Sequence, residues 1–332
     1  MLRSAVHTTG RCAGACARQA ARAPARAAAP AASTSFSTSS PRSHGLSSGP
    51  PAQGSNSASG PNTISQAEIE HFSRLSADWW DPTGEFGLLH RMNPARIDFV
   101  RGELLRAEEL EGAKWLAGKD VLDVGCGGGI FAESLTRLGA NTLAIDASGS
   151  NITTAQTHAA LDPSLHVLNS PIPSRASPSP SSARPRNTLE YRHCAAEDLV
   201  REGRQFDVVC AMEVIEHVED PRGFLECLMQ LTKPGGHLLL STISRTPLAR
   251  LLTITLAEDV LRLVTPGTHT YHKYLKPSEL RDFFADKRWD GFEVRGCPYD
   301  PIAGKWRLLE LGQFGGAGEL VNYFAGVRRP LQ

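Results

Sequence analysis

The chain is expected to fold as an α/β protein with a doubly wound, mostly parallel sheet. Three observations predict this. A short β-branched run, Val121 to Val124, ends in the glycine-rich turn Gly125-Cys126-Gly127-Gly128-Gly129, and a helical pattern follows in which Phe131, Ala132, Leu135 and Leu138 recur at spacings of three and four. Short apolar strands then alternate with helical segments as far as Ser241, the rhythm that builds a parallel sheet covered on both faces. Acids stand at the C-terminal ends of those strands, at Asp146 and Glu213, on the edge where open α/β sheets bind ligands.

At 332 residues and 41% hydrophobic content, the chain can build one large domain or two. Lys+Arg and Asp+Glu both number 35, so net charge argues for no particular partner and gives no support to nucleic acid. The distribution is less even. No Asp or Glu precedes Glu68, while Arg3, Arg11, Arg18, Arg22, Arg26 and Arg42 lie in that stretch among Ala and Ser. This is the composition of a mitochondrial transit peptide, and the missing apolar core after the first arginine disfavours a secretory signal. Ser47 to Gly60 adds a Ser/Gly/Pro linker. Residues 1–62 are thus expected to be presequence and disordered linker, and 63–330 the folded domain. The seven cysteines form no C-x-x-C pair and read as reduced thiols.

The elements follow in order. Ser65 to Trp80 reads as a helix, with Ser65 and Glu68 as a capping box. A second helix is expected over Pro94 to Leu110, with Pro94 in its first turn. These two form an N-terminal helical cap ahead of the sheet. Strands are expected at Asp120–Val124, Asn141–Asp146, Leu189–His193, Phe206–Ala211 and His237–Ser241, with helices at 131–138, 148–160 and 224–231. Ala195-Ala196-Glu197-Asp198 and Lys233-Pro234-Gly235-Gly236 read as turns. The segment 165–188, dense in Pro, Ser and Arg, reads as a disordered surface insertion. A further insertion, 246–275, is expected to face substrate or membrane. Within it Thr246 to Val264 puts Leu248, Leu252, Leu256, Val260 and Leu263 on one helical face, with Arg250, Glu258 and Arg262 on the others. It is too short and too charged to span a bilayer but suits a membrane surface or the roof of an apolar site. A helix over 277–285 and two final strands at 292–296 and 322–327, readable as antiparallel, complete the chain.

The glycine turn departs from the dinucleotide fingerprint G-x-G-x-x-G, since Ile130 stands where the third glycine belongs. Asp123 through Gly129 instead resembles the D-x-G-x-G-x-G motif of class I S-adenosylmethionine (SAM) methyltransferases. Asp146 follows Gly125 at about the spacing of an acid that binds ribose hydroxyls. Glu213 and Glu216 are three apart and would share one face of a helical turn, with His217 beside them. Two carboxylates and an imidazole suit a hard or borderline divalent ion such as Mg²⁺, which could hold two phenolic oxygens and lower the pKa of one. Without metal, His217 is a general base for a phenol, and the remaining alternative is a solvated acidic turn.

A narrower resemblance rests on Trp79-Trp80-Asp81, Gly84-Glu85-Phe86, Leu89-His90-Arg91-Met92-Asn93-Pro94, the Val121–Gly129 run, Glu213-x-x-Glu216-His217-Val218, Lys233-Pro234-Gly235-Gly236, Ser241-Thr242, Gly267-Thr268-His269 and Asn322-Tyr323, in that order. Over roughly residues 64–327, outside the Pro/Ser insertion, the chain resembles the ubiquinone biosynthesis O-methyltransferases in their mitochondrial form. The resemblance implies a class I, Rossmann-like methyltransferase fold with SAM as methyl donor. It implies a polyprenylated catechol as acceptor, methylated early as a polyprenyl-dihydroxybenzoate and late as a demethylubiquinol. It implies SAM contacts from Arg96, Gly125, Asp146 and Met212, a Mg²⁺ site at Glu213, Glu216 and His217, and catalytic roles for Glu213 and His217. Peripheral attachment to the matrix face of the mitochondrial inner membrane, within a multiprotein biosynthetic complex, is implied too. Two other readings remain at this point: a non-catalytic, lipid-binding subunit that keeps the fold, and a SAM methyltransferase for another small phenol.

Overall fold

Doubly wound α/β order is what a computed structural model of the chain has. It describes residues 63, 65–110, 112–169, 187–262, 264–289, 291–310 and 313–331. The expected presequence and linker, residues 1–62, lie outside the described residues.

Two helices come first, α1 (Gln66–Arg74) and α2 (Gly87–Leu105). The core then runs β1 (Asp120–Val124), α3 (Ile130–Arg137), β2 (Asn141–Asp146), α4 (Gly149–Ala159), β3 (His166–Val167), β4 (Thr188–His193), α5 (Ala196–Arg201), β5 (Phe206–Met212), α6 (Pro221–Leu231) and β6 (Thr232–Ile243). A short α7 (Pro247–Ala249) passes into a π-helix over Arg250–Val260. After it come α8 (Pro277–Asp286), β7 (Glu293–Gly296), the small hairpin β8 (Tyr299–Asp300) with β9 (Lys305–Trp306), and β10 (Asn322–Arg328). The main sheet has the order β3-β4-β2-β1-β5-β6-β10-β7. All its pairings are parallel except those of β10, which runs antiparallel to both β6 and β7.

Alternation along β1 divides the core. Leu122 and Val124 join Leu143, Ile145, Phe224 and Leu228 on one face. Val121 packs on the other with Phe99, Leu104, Phe131, Leu135 and Cys210. Asp123 is two residues from Val121 and therefore shares that second face, which α2 covers with a buried stripe of Met92, Ala95, Arg96, Phe99, Val100, Glu103 and Leu104.

Several expectations are corrected. The first helix stops at Arg74, and a 3₁₀ turn at Ser76–Asp78 leads into Trp79 and Trp80. The expected capping box is absent: Ser65 makes no side-chain cap bond, and the Glu68 carboxylate turns instead to His217 and Lys273. The second helix begins at Gly87 rather than Pro94. Leu88, Leu89 and Met92 supply two extra turns, and Pro94 is tolerated on the exposed side. Residues 196–201 are helical, with Asp198 capping the Ala195 N–H, rather than a turn. Lys233–Gly236 belongs to the start of β6. The insertion expected over 165–188 is narrower at both ends, since His166–Val167 pairs with Thr188–Leu189. Residues 170–186 lie outside the described residues.

Candidate active site

A cavity of ≈ 620 Å³ opens at the C-terminal ends of β1, β2 and β5, within the size range of small-molecule sites. Arg96, Gly125, Asp146, Met212, Glu213, Glu216 and His217 all line it. The structure thus brings together every site residue expected from the sequence. Its roof comes from α1, the Trp79 turn, the π-helix and the loop around Thr268 and His269.

The glycine turn explains why the cap sits so close. A Cβ on Gly127 would fall 2.3 Å from the Trp79 ring, and one on Gly129 would fall 2.3 Å from the Tyr191 hydroxyl. Both glycines also have positive φ, +52° and +88°, where a side chain is strained. Trp79 lies over the turn, stacks on Phe86 with centroids 3.7 Å apart, and donates from Nε1 to Asn151 Oδ1 at 3.0 Å. Trp80 donates to the Gly128 carbonyl at 2.9 Å and stacks on His158. His158 is hydrogen-bonded to buried Glu133 at 2.7 Å. The tryptophan pair therefore latches the cap onto α3 and α4.

Asp146 ends β2 and lines the cavity. Its Oδ2 accepts the Gly127 N–H at 2.9 Å, and its Oδ1 accepts the Ser148 N–H at 2.8 Å. Burial raises its pKa against these hydrogen bonds, which pull it down. Deeper in, Asp123 and Arg96 form a charged floor. Asp123 Oδ2 and Arg96 Nε are both buried without a hydrogen-bond partner, an arrangement that native cores avoid unless a ligand supplies the partner. Burial lowers the Arg96 pKa, while the charges of Glu213, Asp123 and Glu216 act to raise it. A guanidinium and a carboxylate held unsatisfied at one cavity end fit a zwitterionic amino-acid group such as SAM carries.

The acidic turn is built differently from the expected helical face. Glu213 leaves β5 with φ +60°, and only Ile215–His217 is helical, as a 3₁₀ turn. The left-handed step at Glu213 swings the chain sharply out of the strand, so Glu213 and Glu216 do not stack as i, i+3 neighbours. Glu213 N–H bonds to the Ser241 carbonyl at 3.1 Å. Glu216 is buried and accepts from Thr242 Oγ1 at 2.9 Å. Burial, then the neighbouring charge of Glu213, raises its pKa. His217 Nδ1 lies 3.1 Å from Glu68 Oε2, and Lys273 Nζ lies 3.2 Å from Glu68 Oε1. Burial pushes the Glu68 pKa up, but these bonds outweigh it and hold it below its ordinary value. Among the described residues, no three His, Cys, Asp or Glu side chains are arranged to hold a metal ion.

A glycine turn opening on a buried Arg/Asp pair, at the edge of a parallel sheet closed by an antiparallel strand, defines a class I SAM-dependent methyltransferase. Residues 96–294 match the family model described as a methyltransferase domain. A SAM-dependent methyltransferase of Thermotoga maritima, a possible histamine N-methyltransferase, has the same fold at 15% identity and TM-score 0.51, covering 79% of this chain and 99% of that one. The mitochondrial ubiquinone biosynthesis O-methyltransferase of Schizosaccharomyces pombe is 44% identical over 274 residues, 81% of this chain and 88% of the relative. The ubiquinone biosynthesis O-methyltransferase of Caulobacter sp. is 40% identical over 74% of this chain and 89% of its own length. The human mitochondrial one is 37% identical over 75% and 62%. The chain belongs to the ubiquinone biosynthesis O-methyltransferase family, and SAM is its methyl donor.

Proposed function

We propose that the chain methylates catechol hydroxyls of a polyprenylated substrate in ubiquinone biosynthesis: a polyprenyl-dihydroxybenzoate early and a demethylubiquinol late. The observation that carries the proposal is one cavity with a charged floor at Arg96 and Asp123 and an apolar mouth at Leu252, Leu256 and Leu261. The floor suits the donor, and the mouth suits a prenylated ring.

In this reading Arg96, Gly125, Asp146 and Met212 hold SAM. Arg96 takes its carboxylate, the Gly125 turn lets the chain approach closely, Asp146 meets the ribose, and Met212 packs at the end of β5. Bound there, SAM supplies an electrophilic methyl on a sulfonium. Glu213 and His217 receive the acceptor's oxygens on the opposite wall. Phenolate and sulfonium charges vanish together as the methyl transfers, so a dry, closed site favours reaction. Positioning supplies much of the remainder. The Trp79–Trp80 latch excludes water on the cap side.

Magnesium at Glu213, Glu216 and His217 belongs to the proposal. Two observations support it. Burial and then the neighbouring charge of Glu213 raise the cost of ionising Glu216, which a dication would relieve. The Glu68–His217 bond leaves Nε2 as the free nitrogen, the arrangement usual on metal-ligating histidines. The donor set fits a hard cation, although Glu216 must turn from Thr242 to reach one. A bound cation would lower the pKa of the phenol.

Location follows the same reasoning. The N-terminal composition, and the names of the fission-yeast and human relatives, support a mitochondrial site. No described helix is long and apolar enough to cross a membrane. Leu248, Leu251, Leu252, Leu256, Val260 and Leu261 are exposed along the π-helix and its ends. They support peripheral docking on the matrix face of the inner membrane, where the lipid substrate and the other biosynthetic proteins would be met.

The test is methyl transfer from labelled SAM to a short-prenyl dihydroxybenzoate by the full chain, with and without Mg²⁺. Transfer that collapses with EDTA and returns with Mg²⁺ is expected. Metal-independent transfer would keep the enzyme and remove the cation. Measurable SAM binding without transfer would point to another acceptor.

A further inference from the structure

The Gly267-Thr268-His269 loop has no part in the reading above, yet it brings a second carboxylate-held imidazole to the cavity. Glu258 is the one buried residue among those described in the π-helix, 1% exposed. A buried carboxylate is costly unless its oxygens are bonded. Here they are. Oε2 accepts the Gly267 N–H at 2.8 Å, and Oε1 accepts the His269 N–H at 2.9 Å. Both oxygens therefore act as acceptors, and His269 Nδ1, 2.5 Å from Oε1, must be the donor in its own bond. In the neutral ring, that selects the tautomer whose lone pair is on Nε2.

The loop is also pinned from outside the π-helix. Glu85 Oε1 accepts the Thr265 N–H at 2.6 Å, and Thr268 Oγ1 lies 3.3 Å from His71 Nε2. The His269 ring lines the same cavity as Arg96, Asp123 and Met212. Its neighbours are His217 and Tyr274, with ring centroids 6.4 and 6.2 Å away. The Tyr274 hydroxyl is bonded to Thr253 at 2.7 Å, and His217 is the nitrogen proposed for the cation. An imidazole whose Nε2 holds a cation has no lone pair for a proton.

From this geometry we infer that His269, oriented by Glu258, is a catalytic residue: its Nε2 takes the proton of the acceptor hydroxyl as that oxygen attacks the methyl group. The inference rests on the proposed O-methyl transfer at this cavity. The O–H bond breaks and its proton passes to Nε2. The oxygen forms a C–O bond to the methyl carbon, the C–S bond breaks, and its electron pair stays on sulfur as the neutral thioether. The proton then leaves to solvent. Glu258 is the positioning residue, holding the ring and stabilising the imidazolium that forms.

The experiment uses the full chain, labelled SAM and a short-prenyl catechol. His269→Ala is expected to lower kcat about 100-fold or more, the lower range for a lost general base. It should leave SAM affinity within about twofold and regain activity with added imidazole. Glu258→Gln is expected to lower kcat about tenfold without raising KM for SAM. Retained kcat in His269→Ala would overturn the inference. So would a loss that imidazole does not restore while Glu258→Gln stays at wild-type rate. If the alanine protein does not fold, Glu258→Gln decides: an unchanged kcat overturns the inference, and a lowered kcat at unchanged SAM affinity supports it. Wild-type protein without transfer would overturn the reading of the site and this inference with it.

Discussion

Burial lifts the Asp123 carboxyl from 3.8 to about 7, with Arg96 opposing and Asp146 adding to the rise. The folded chain holds this proton over a range where the unfolded chain has released it. Its contribution to stability is therefore fully present below the unfolded value and is lost as pH rises to about 7. Asp123→Asn removes that slope. The variant should gain on the wild type by on the order of a few kcal/mol between pH 5 and pH 8, read by urea unfolding of the ligand-free protein. Parallel pH slopes for the two proteins would contradict it. His237, which burial lowers to about 4, slopes the other way but is common to both and cancels. Asp123 was legible as an anomaly in the sequence because an acid inside a β-branched run has few reasons to be there. Its partner Arg96 was reached only through the family motif. Nothing in the spacing of positions 96 and 123 says that they share one face of the sheet.

At the scale of elements, the π-helix departs furthest from expectation. An α-helical spacing puts Glu258 among the solvent-facing polar residues and the leucines on a packed or docking stripe. The wider π turn, closed by i→i+5 bonds, shifts each successive residue around the axis by a different angle. Glu258 is thereby turned inward onto the 267–269 loop, while Leu251, Val260 and Leu261 stay more than half exposed. If this ridge meets lipid, Leu251→Asp combined with Leu256→Asp should cut binding to anionic vesicles at least about tenfold. The same change should move stability by only about 0.5 kcal/mol, as expected for exposed positions. Undiminished vesicle binding in sedimentation would remove the docking role. The strands were far easier to read. Asp120–Val124 and Asn141–Asp146 begin and end at the expected residues, because short apolar runs between a polar start and a glycine or acid stop leave little choice of boundary.

Across the whole molecule, the five cysteines among the described residues are free thiols, and four of them are buried. Burial raises Cys126 and Cys210 well above the ordinary value and pushes Cys227 and Cys297 up to about 12. Cys194 is only half-buried and lines the cavity. Under native conditions at pH 8, alkylation should therefore reach Cys194 first among these five, with SAM slowing it, while the other four react only on unfolding. Mass spectrometry of the labelled peptides would show it, and early labelling of Cys210 would contradict the buried core. The sequence by itself determined the fold class, the bounds of the first two strands, the glycine turn, the acids at the strand ends and the family. All of these are written in local periodicity and short motifs, which a chain carries without knowing its distant contacts. Only the tertiary structure decided that Trp79 and Trp80 latch onto Gly127, Gly128 and His158, and that Glu68 serves His217 rather than a helix cap. It alone decided that Glu258 holds His269 beside the same cavity. The tryptophan and Glu68 pairings join residues far apart in the chain, while Glu258 meets His269 only because the π-helix turns it onto the loop, and packing selects all of them by shape and by the need of every buried donor and acceptor for a partner.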